Sequence, residues 1–240
     1  MNHKRIFQAQ SMNCSLALIL ISTGLLQGGP LRADETTLGN LAVSSTQVET
    51  IICIRHGEKP KTGLGNLDAQ GLNRALALPD VLARYGTPAY IFAPDPAADL
   101  VTEGSVTIDG ASKNGVCYVR PLLTIGPTAI RCGLPINTAY GFKHITGLES
   151  ELDKPAYRDA LIFVAWEHRL GEQLMRDEVR DHGGNPGAVP VWSRDDFDSI
   201  YVAQINRDSK GVASVIFRVD HEGLNGLSGE FPKPAGTVPK

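Results

Sequence analysis

Arg55-His56-Gly57-Glu58 follows the apolar run Ile51-Ile52-Cys53-Ile54. A fixed planar cation, an imidazole and a glycine therefore stand where a strand covered on both faces should end. Arginine supplies a fork of donors suited to phosphate or carboxylate. Histidine attacks, accepts or donates a proton near neutral pH, and glycine lets the backbone turn close to a ligand. Two further stretches end in the same chemistry. Val116-Cys117-Tyr118-Val119 runs into Arg120, and Ala160 to Trp166 runs into Glu167-His168. Read as strands of one parallel sheet, the three runs end on one edge, where open α/β sheets hold their ligands.

The elements that must position these groups follow from periodicity. Strands are expected at 50–54, 89–93, 116–119 and 160–166, and a final hairpin pairs 199–206 with 212–219 through Asp208-Ser209-Lys210-Gly211. Helices are expected from Leu67 to about Tyr85, bent or restarted at Pro79, and from Pro121 to Cys132 with a break near Gly126-Pro127, capped by Gly133. Two more are expected from about Leu148 to Tyr157 and from about Leu170 to His182. Alternating strands and helices predict a three-layer α/β/α sandwich with a mostly parallel sheet. The stretch 97–115 reads as a loop able to cover a site, with no internal repeat or low-complexity tract.

With those residues in place, Arg55-His56-Gly57-Glu58 resembles the signature of the histidine phosphatase superfamily, the phosphoglycerate mutase-like fold. Leu67 to Gly71 with Arg74-Ala75 resembles that family's helix-opening pattern, with Arg74 where glutamine is common. Arg120-Pro121-Leu122-Leu123-Thr124 is similar to its second arginine motif, and Ala165-Trp166-Glu167-His168 to the strand carrying its second histidine. The likeness covers roughly residues 49–206 in the family's order. A serine common before the second arginine is missing, and Arg169 stands where glycine often follows the second histidine. Glu167 in place of a His-Asp pair sets the chain nearer the mutase-like branch.

The resemblance implies phosphoryl transfer without a metal or other cofactor. His56 would attack phosphorus and carry a phosphohistidine. Arg55 and Arg120 would grip the non-bridging oxygens, hold His56 neutral and stabilise the charge of the transferring group. His168 would add a donor, and Glu58 joins Arg55, Arg120 and His168 as a substrate-binding candidate. A general acid must protonate the leaving oxygen. Glu58, Glu149, Glu151 and Glu167 are its candidates, and the sequence ranks Glu149 and Glu167 nearly level. His144, His182 and His221 read as surface or loop residues, and Lys59 and Lys61 as a solvated loop.

The rest of the chain bounds its setting. Lys4 and Arg5, an apolar stretch from Leu16 to Leu26 and Leu31-Arg32-Ala33 read as a signal peptide over 1–33, too short to span a bilayer. A polar linker over 34–48, a catalytic domain over 49–223 and a loose Gly/Pro tail over 224–240 follow. Removing 1–33 lowers the basic count from 23 to 20 against 26 acidic residues, a net charge of −6. That balance argues against a nucleic-acid partner, and signal cleavage leaves no membrane attachment. The expected setting is periplasmic or secreted. Cys53, Cys117 and Cys132 remain, an odd count that leaves at least one thiol outside any internal disulfide. No cysteine or histidine spacing points to zinc. The expected activity is hydrolysis of a phosphorylated small molecule or phosphoprotein. The alternative is a non-catalytic extracytoplasmic anion-binding domain with the same pocket.

Overall fold

The computed structural model describes residues 46–63, 65–102 and 115–233. The signal-peptide stretch, most of the linker, residues 103–114 of the long loop and the last seven residues lie outside them. Five strands form one sheet in the order β2-β3-β1-β4-β5. They are β1 (Gln47–Arg55), β2 (Tyr90–Phe92), β3 (Leu161–Trp166), β4 (Ser199–Arg207) and β5 (Ala213–His221). β1, β2 and β3 run parallel, β4 runs antiparallel to β1, and β5 returns antiparallel to β4. Four of the five strands therefore point the same way, and only β4, the first strand of the closing hairpin, opposes them.

Alternation along the strands divides the core. Ile51, Cys53, Ile162, Val164, Tyr201 and Ala203 face one side, where α3 (Ile145–Leu152) and α4 (His168–Asp181) supply Leu148, Leu174 and Met175. Ile52, Ile54, Phe163, Ala165, Ile200 and Val202 face the other, where α1 (Ala69–Leu82) and α2 (Arg120–Cys132) supply Leu78, Leu82, Ile125 and Ala129. The three-layer sandwich is the expected one.

Several elements depart from expectation for physical reasons. β1 begins at Gln47, since Gln47 and Val48 pair with Arg207 and Asn206, so the linker ends earlier. The strand expected at 116–119 is absent. Val116 bridges only Val101, and Val119 and Arg120 both donate to the Gly65 carbonyl. Arg120 is thus the first residue of α2, with Pro121 in the first turn where its missing N–H costs nothing. α1 passes through Pro79 without ending, and α2 through Pro127. The helix expected over 148–157 is α3 followed by a separate 3-10 turn, Pro155–Tyr157. His168 opens α4 instead of closing β3.

The segment expected to be a loose tail is fastened over its described part. Asn73 Nδ2 donates to the carbonyls of Ser228 and Glu230, each at 2.8 Å, and Leu224 N donates to Asp198 Oδ1 at 2.9 Å. Cys53, Cys117 and Cys132 form no disulfide; Cys117 is exposed outside any strand, while burial pushes the Cys53 thiol up to about 12. His182, expected at the surface, is buried. Its Nδ1 meets the Glu178 carbonyl at 2.8 Å and its Nε2 meets Arg207 Nη2 at 2.9 Å. Among the described residues no helix is long and apolar enough to cross a membrane.

Candidate active site

β1 and β3 carry the first groups to one edge. Arg55 pairs opposite Trp166, and His56 N donates to the Trp166 carbonyl at 3.1 Å, so Glu167 and His168 leave the sheet beside His56. The His56 ring is buried, edged by Tyr118 and Phe197 with centroids at 5.9 and 6.1 Å. Burial and the Arg120 charge, with a smaller push from Arg55, hold its pKa well below the ordinary 6.5, against the opposing Gly57 hydrogen bond. The ring is therefore neutral. Its Nδ1 stands 2.7 Å from the Gly57 carbonyl, which only accepts, so Nδ1 carries the hydrogen and Nε2 the lone pair.

Gly57 also sets the loop. A Cβ there would stand 3.0 Å from Gly71 Cα, and one at Gly71 would stand 2.3 Å from the Glu58 carbonyl oxygen. Two glycines let the signature loop lie against the first turn of α1, which Asp68 caps by accepting from Gly71 N at 2.9 Å.

Arg55 Nη1 is held by the carbonyls of Arg194 at 2.7 Å and Asp196 at 2.8 Å, with Ser193 at 3.4 Å. The Phe197 ring lies 3.8 Å from the guanidinium carbon. Burial lowers the Arg55 pKa to about 10, against the opposing pull of Tyr118, Glu167 and Asp196, so it remains a cation at neutral pH. Arg120 is buried, its guanidinium 4.6 Å from the Tyr118 ring whose edge meets His56. Two cations and a neutral imidazole thus share one end of the sheet, and the N-termini of α2 and α4 add their positive dipole ends there.

The glutamates divide differently. Glu167 is the N-cap of α4, accepting from Arg169 N and Leu170 N at 3.1 Å each, and its Oε1 lies 2.6 Å from His168 Nδ1. Burial alone would raise its pKa, but His168 and the two amides bring it down to about 2. It is an anion that orients His168, which corrects its candidacy as general acid. Glu149 is corrected too. It packs against Asp177, nine residues along α4 from His168, about 13 Å of helix axis. Glu151 accepts from Tyr140, Lys154 and Tyr157.

Glu58, proposed for substrate contact, is gripped at both oxygens by Arg74, from Nε at 2.9 Å and Nη2 at 2.6 Å. Arg74 is fully buried and also pairs with Glu222 and meets Asn225 Oδ1 at 3.2 Å. Arg74 thus fastens the loop that carries His56 to the segment after β5.

Arg55, Glu167 and His168 line a cleft of about 440 Å³ with Lys59, Arg169, Arg194, Asp195 and Phe197. Phe197 and Asp195 escaped the sequence reading. The signal was available in the antiparallel hairpin: β4 starts where β1 ends, with Ile200 opposite Ile54, so the loop entering β4 arrives at the same edge.

No protein-family model matches this chain, and no curated protein matches it. Among solved structures, the putative phosphohistidine phosphatase SixA from Nakamurella multipartitia aligns at 14% identity and a TM-score of 0.44, covering 72% of this chain and 96% of that one. A mycobacterial glucosyl-3-phosphoglycerate phosphatase in complex with inorganic phosphate aligns at 14% and 0.43, covering 72% and 95%. The putative phosphohistidine phosphatase SixA from Agrobacterium tumefaciens aligns at 13% and 0.41, covering 72% and 96%.

Proposed function

We propose that this chain is an exported, metal-independent phosphatase that hydrolyses phosphomonoesters through a phosphohistidine on His56. The observation that carries the proposal is the His56 ring: neutral, its Nδ1–H fixed on the Gly57 carbonyl, and under the charges of Arg120 and Arg55. Nε2 attacks phosphorus, a P–N bond forms, and the ester P–O bond breaks. The arginines offset the charge on the phosphoryl oxygens through both steps. Water then attacks the phosphohistidine, its proton passing to the carboxylate that protonated the leaving oxygen, and the P–N bond breaks to release inorganic phosphate and return the lone pair to Nε2.

An alkyl leaving oxygen needs a proton as it departs. Of the two carboxyls lining the cleft among the described residues, Glu167 is held as an anion, so the proton is assigned to Asp195. An aryl leaving group departs without this help. Export follows from the basic, apolar and small-residue pattern over 1–33, and N-terminal sequencing of the protein recovered outside the cytoplasm checks it.

The decisive experiment is hydrolysis of 4-nitrophenyl phosphate by wild type and His56→Ala, with and without EDTA. Turnover lost with His56 and indifferent to EDTA is the expected result. Equal slow release by both proteins, with phosphate still bound, would replace the enzyme with an anion-binding domain. Activity lost to EDTA and restored only by added metal would overturn the mechanism.

A further inference from the structure

We infer that Tyr118 and Phe197 are positioning residues of the phosphoryl-transfer centre: each ring seats one of the two arginines and packs against His56, so the two rings fix nucleophile and grips relative to one another. The inference rests on the phosphatase reading and assigns roles to two residues of that same site. The Phe197 ring lies 3.8 Å from the Arg55 guanidinium carbon and 6.1 Å from the His56 ring, at an angle of 61°. Tyr118 repeats the arrangement from a distant part of the chain, 4.6 Å from the Arg120 guanidinium carbon and 5.9 Å from the His56 ring, at 90°. Both ring pairs fall where tilted aromatic contacts are favourable. A guanidinium over a desolvated ring adds cation–π attraction.

Hydrogen bonds alone leave this machinery under-determined. Arg55 is tethered through Nη1, while its buried Nε makes no hydrogen bond. A guanidinium held at one nitrogen can still turn its plane, and the Phe197 face fixes that plane. The His56 ring is bonded through Nδ1 to the Gly57 carbonyl, and the two flanking rings stop the imidazole from swinging about that bond. The rings are themselves fixed by backbone. Tyr118 N donates to the Pro96 carbonyl at 2.9 Å, and its ring packs on Phe142 at 4.7 Å. Phe197 stands in a turn closed by Asp196, whose carboxylate accepts from Asp198 N at 2.9 Å and from Ser199 N at 3.0 Å. Both rings also exclude water from the imidazole, and burial is the first cause of its lowered pKa.

The test compares Tyr118→Leu and Phe197→Leu with the ring-keeping variants Tyr118→Phe and Phe197→Tyr on 4-nitrophenyl phosphate, whose leaving group needs no proton. Each leucine variant should lose about tenfold in kcat with a smaller change in KM, the scale of one desolvated cation–π contact. Tyr118→Leu also opens the imidazole to water, so its pKa should climb toward the ordinary 6.5. Measured against wild type, its activity at about pH 5.5 should then fall by about a further tenfold beyond the loss at about pH 8. The ring-keeping variants should keep the wild-type kcat and pH profile. Phe163→Leu, the same truncation in the core three residues before the end of β3, should lower Tm and move neither readout. Histidine NMR titration of wild type and Tyr118→Leu reads the imidazole without turnover. No hydrolysis by wild type would sink the phosphatase reading, while this titration would still decide the role of the ring. An imidazole pKa unchanged in Tyr118→Leu, leucine variants as active as wild type, or ring-keeping variants as impaired as the leucine ones would overturn the inference.

Discussion

Gly57 donates its backbone N–H to Thr124 Oγ1 across 2.9 Å, and the same hydroxyl donates to the Arg120 carbonyl at 2.8 Å. One buried threonine therefore locks the loop that carries His56 to the first turn of the helix that begins with Arg120. Valine has the same shape and lacks the hydroxyl, leaving the Gly57 N–H buried without an acceptor. Thr124→Val is expected to lose about 1–3 kcal/mol of stability, the cost of an orphaned buried donor. It should also lower kcat more than it raises KM, because the displaced pair acts on the transferring group. Thr124→Ser should keep both values near wild type. Chemical denaturation and steady-state kinetics of the two variants check the claim, and a valine variant as active as the serine one would refute it.

Arg74 holds the other side of the same loop. It is fully buried, with Glu58 and Glu222 both paired to it. Burial alone would lower its pKa, but the hydrogen bonds and charges of the two carboxylates push it up. Removing the cation leaves carboxylates without compensation in a dry setting. Arg74→Ala should cost about 3–5 kcal/mol, the usual penalty for breaking a buried ion pair from one side. Adding Glu222→Gln to Arg74→Ala should recover part of the loss. Urea denaturation of the single and double variants measures it, and strictly additive losses would show that the two residues are not coupled.

Much of this arrangement was legible in the chain, and the reasons differ by residue. Ile51 to Ile54 and Leu161 to Trp166 read as strands because burial on both faces demands continuous apolar runs. With both placed in parallel, Arg55, His56, Glu167 and His168 had to meet at one edge. Val116 to Val119 misled because an apolar run of four is no longer than the turn that feeds a helix, and Pro121 marked the helix start more reliably. The glutamates were not separable from spacing alone. Glu167 lies beside His168 in the chain yet caps a helix, and Glu149 faces Asp177 only because α3 packs against the far end of α4. Asp195 and Phe197 were hidden in a stretch with no periodicity, and only the antiparallel direction of β4 brings them to the site.

Glu149 gives the correction a measurable signature. Burial, then the hydrogen bond and charge of Asp177, raise its pKa from 4.5 to about 7. A carboxyl whose folded pKa is raised binds its proton more tightly folded than unfolded. Its contribution to stability is therefore fully present below about pH 4.5 and is lost as pH rises through about 7. Glu149→Gln cannot ionise. Relative to wild type it should gain stability between pH 4.5 and about pH 7, the window set by the two values, read as a growing difference in Tm. Turnover should be unchanged, since the side chain sits about 13 Å of helix axis from His168. A Tm difference constant with pH would refute the shift, and a loss of kcat would return Glu149 to the catalytic machinery.

The assignment of the leaving-group proton to Asp195 makes a prediction that depends on the ester and not on overall rate. Arg55 is anchored on the carbonyls flanking Asp195, so the carboxyl and the phosphoryl grip belong to one loop. 4-Nitrophenolate leaves without a proton, whereas an alkoxide cannot. Asp195→Asn keeps the shape of the loop and removes the acid. Its hydrolysis of alkyl phosphates should fall by about 10²-fold or more relative to 4-nitrophenyl phosphate, within the range expected of general acid catalysis. Across a series of esters, log kcat should depend more steeply on leaving-group pKa in the variant than in wild type. Equal slopes would show that the proton comes from elsewhere, and an equal loss on every ester would show that Asp195 only shapes the loop holding Arg55.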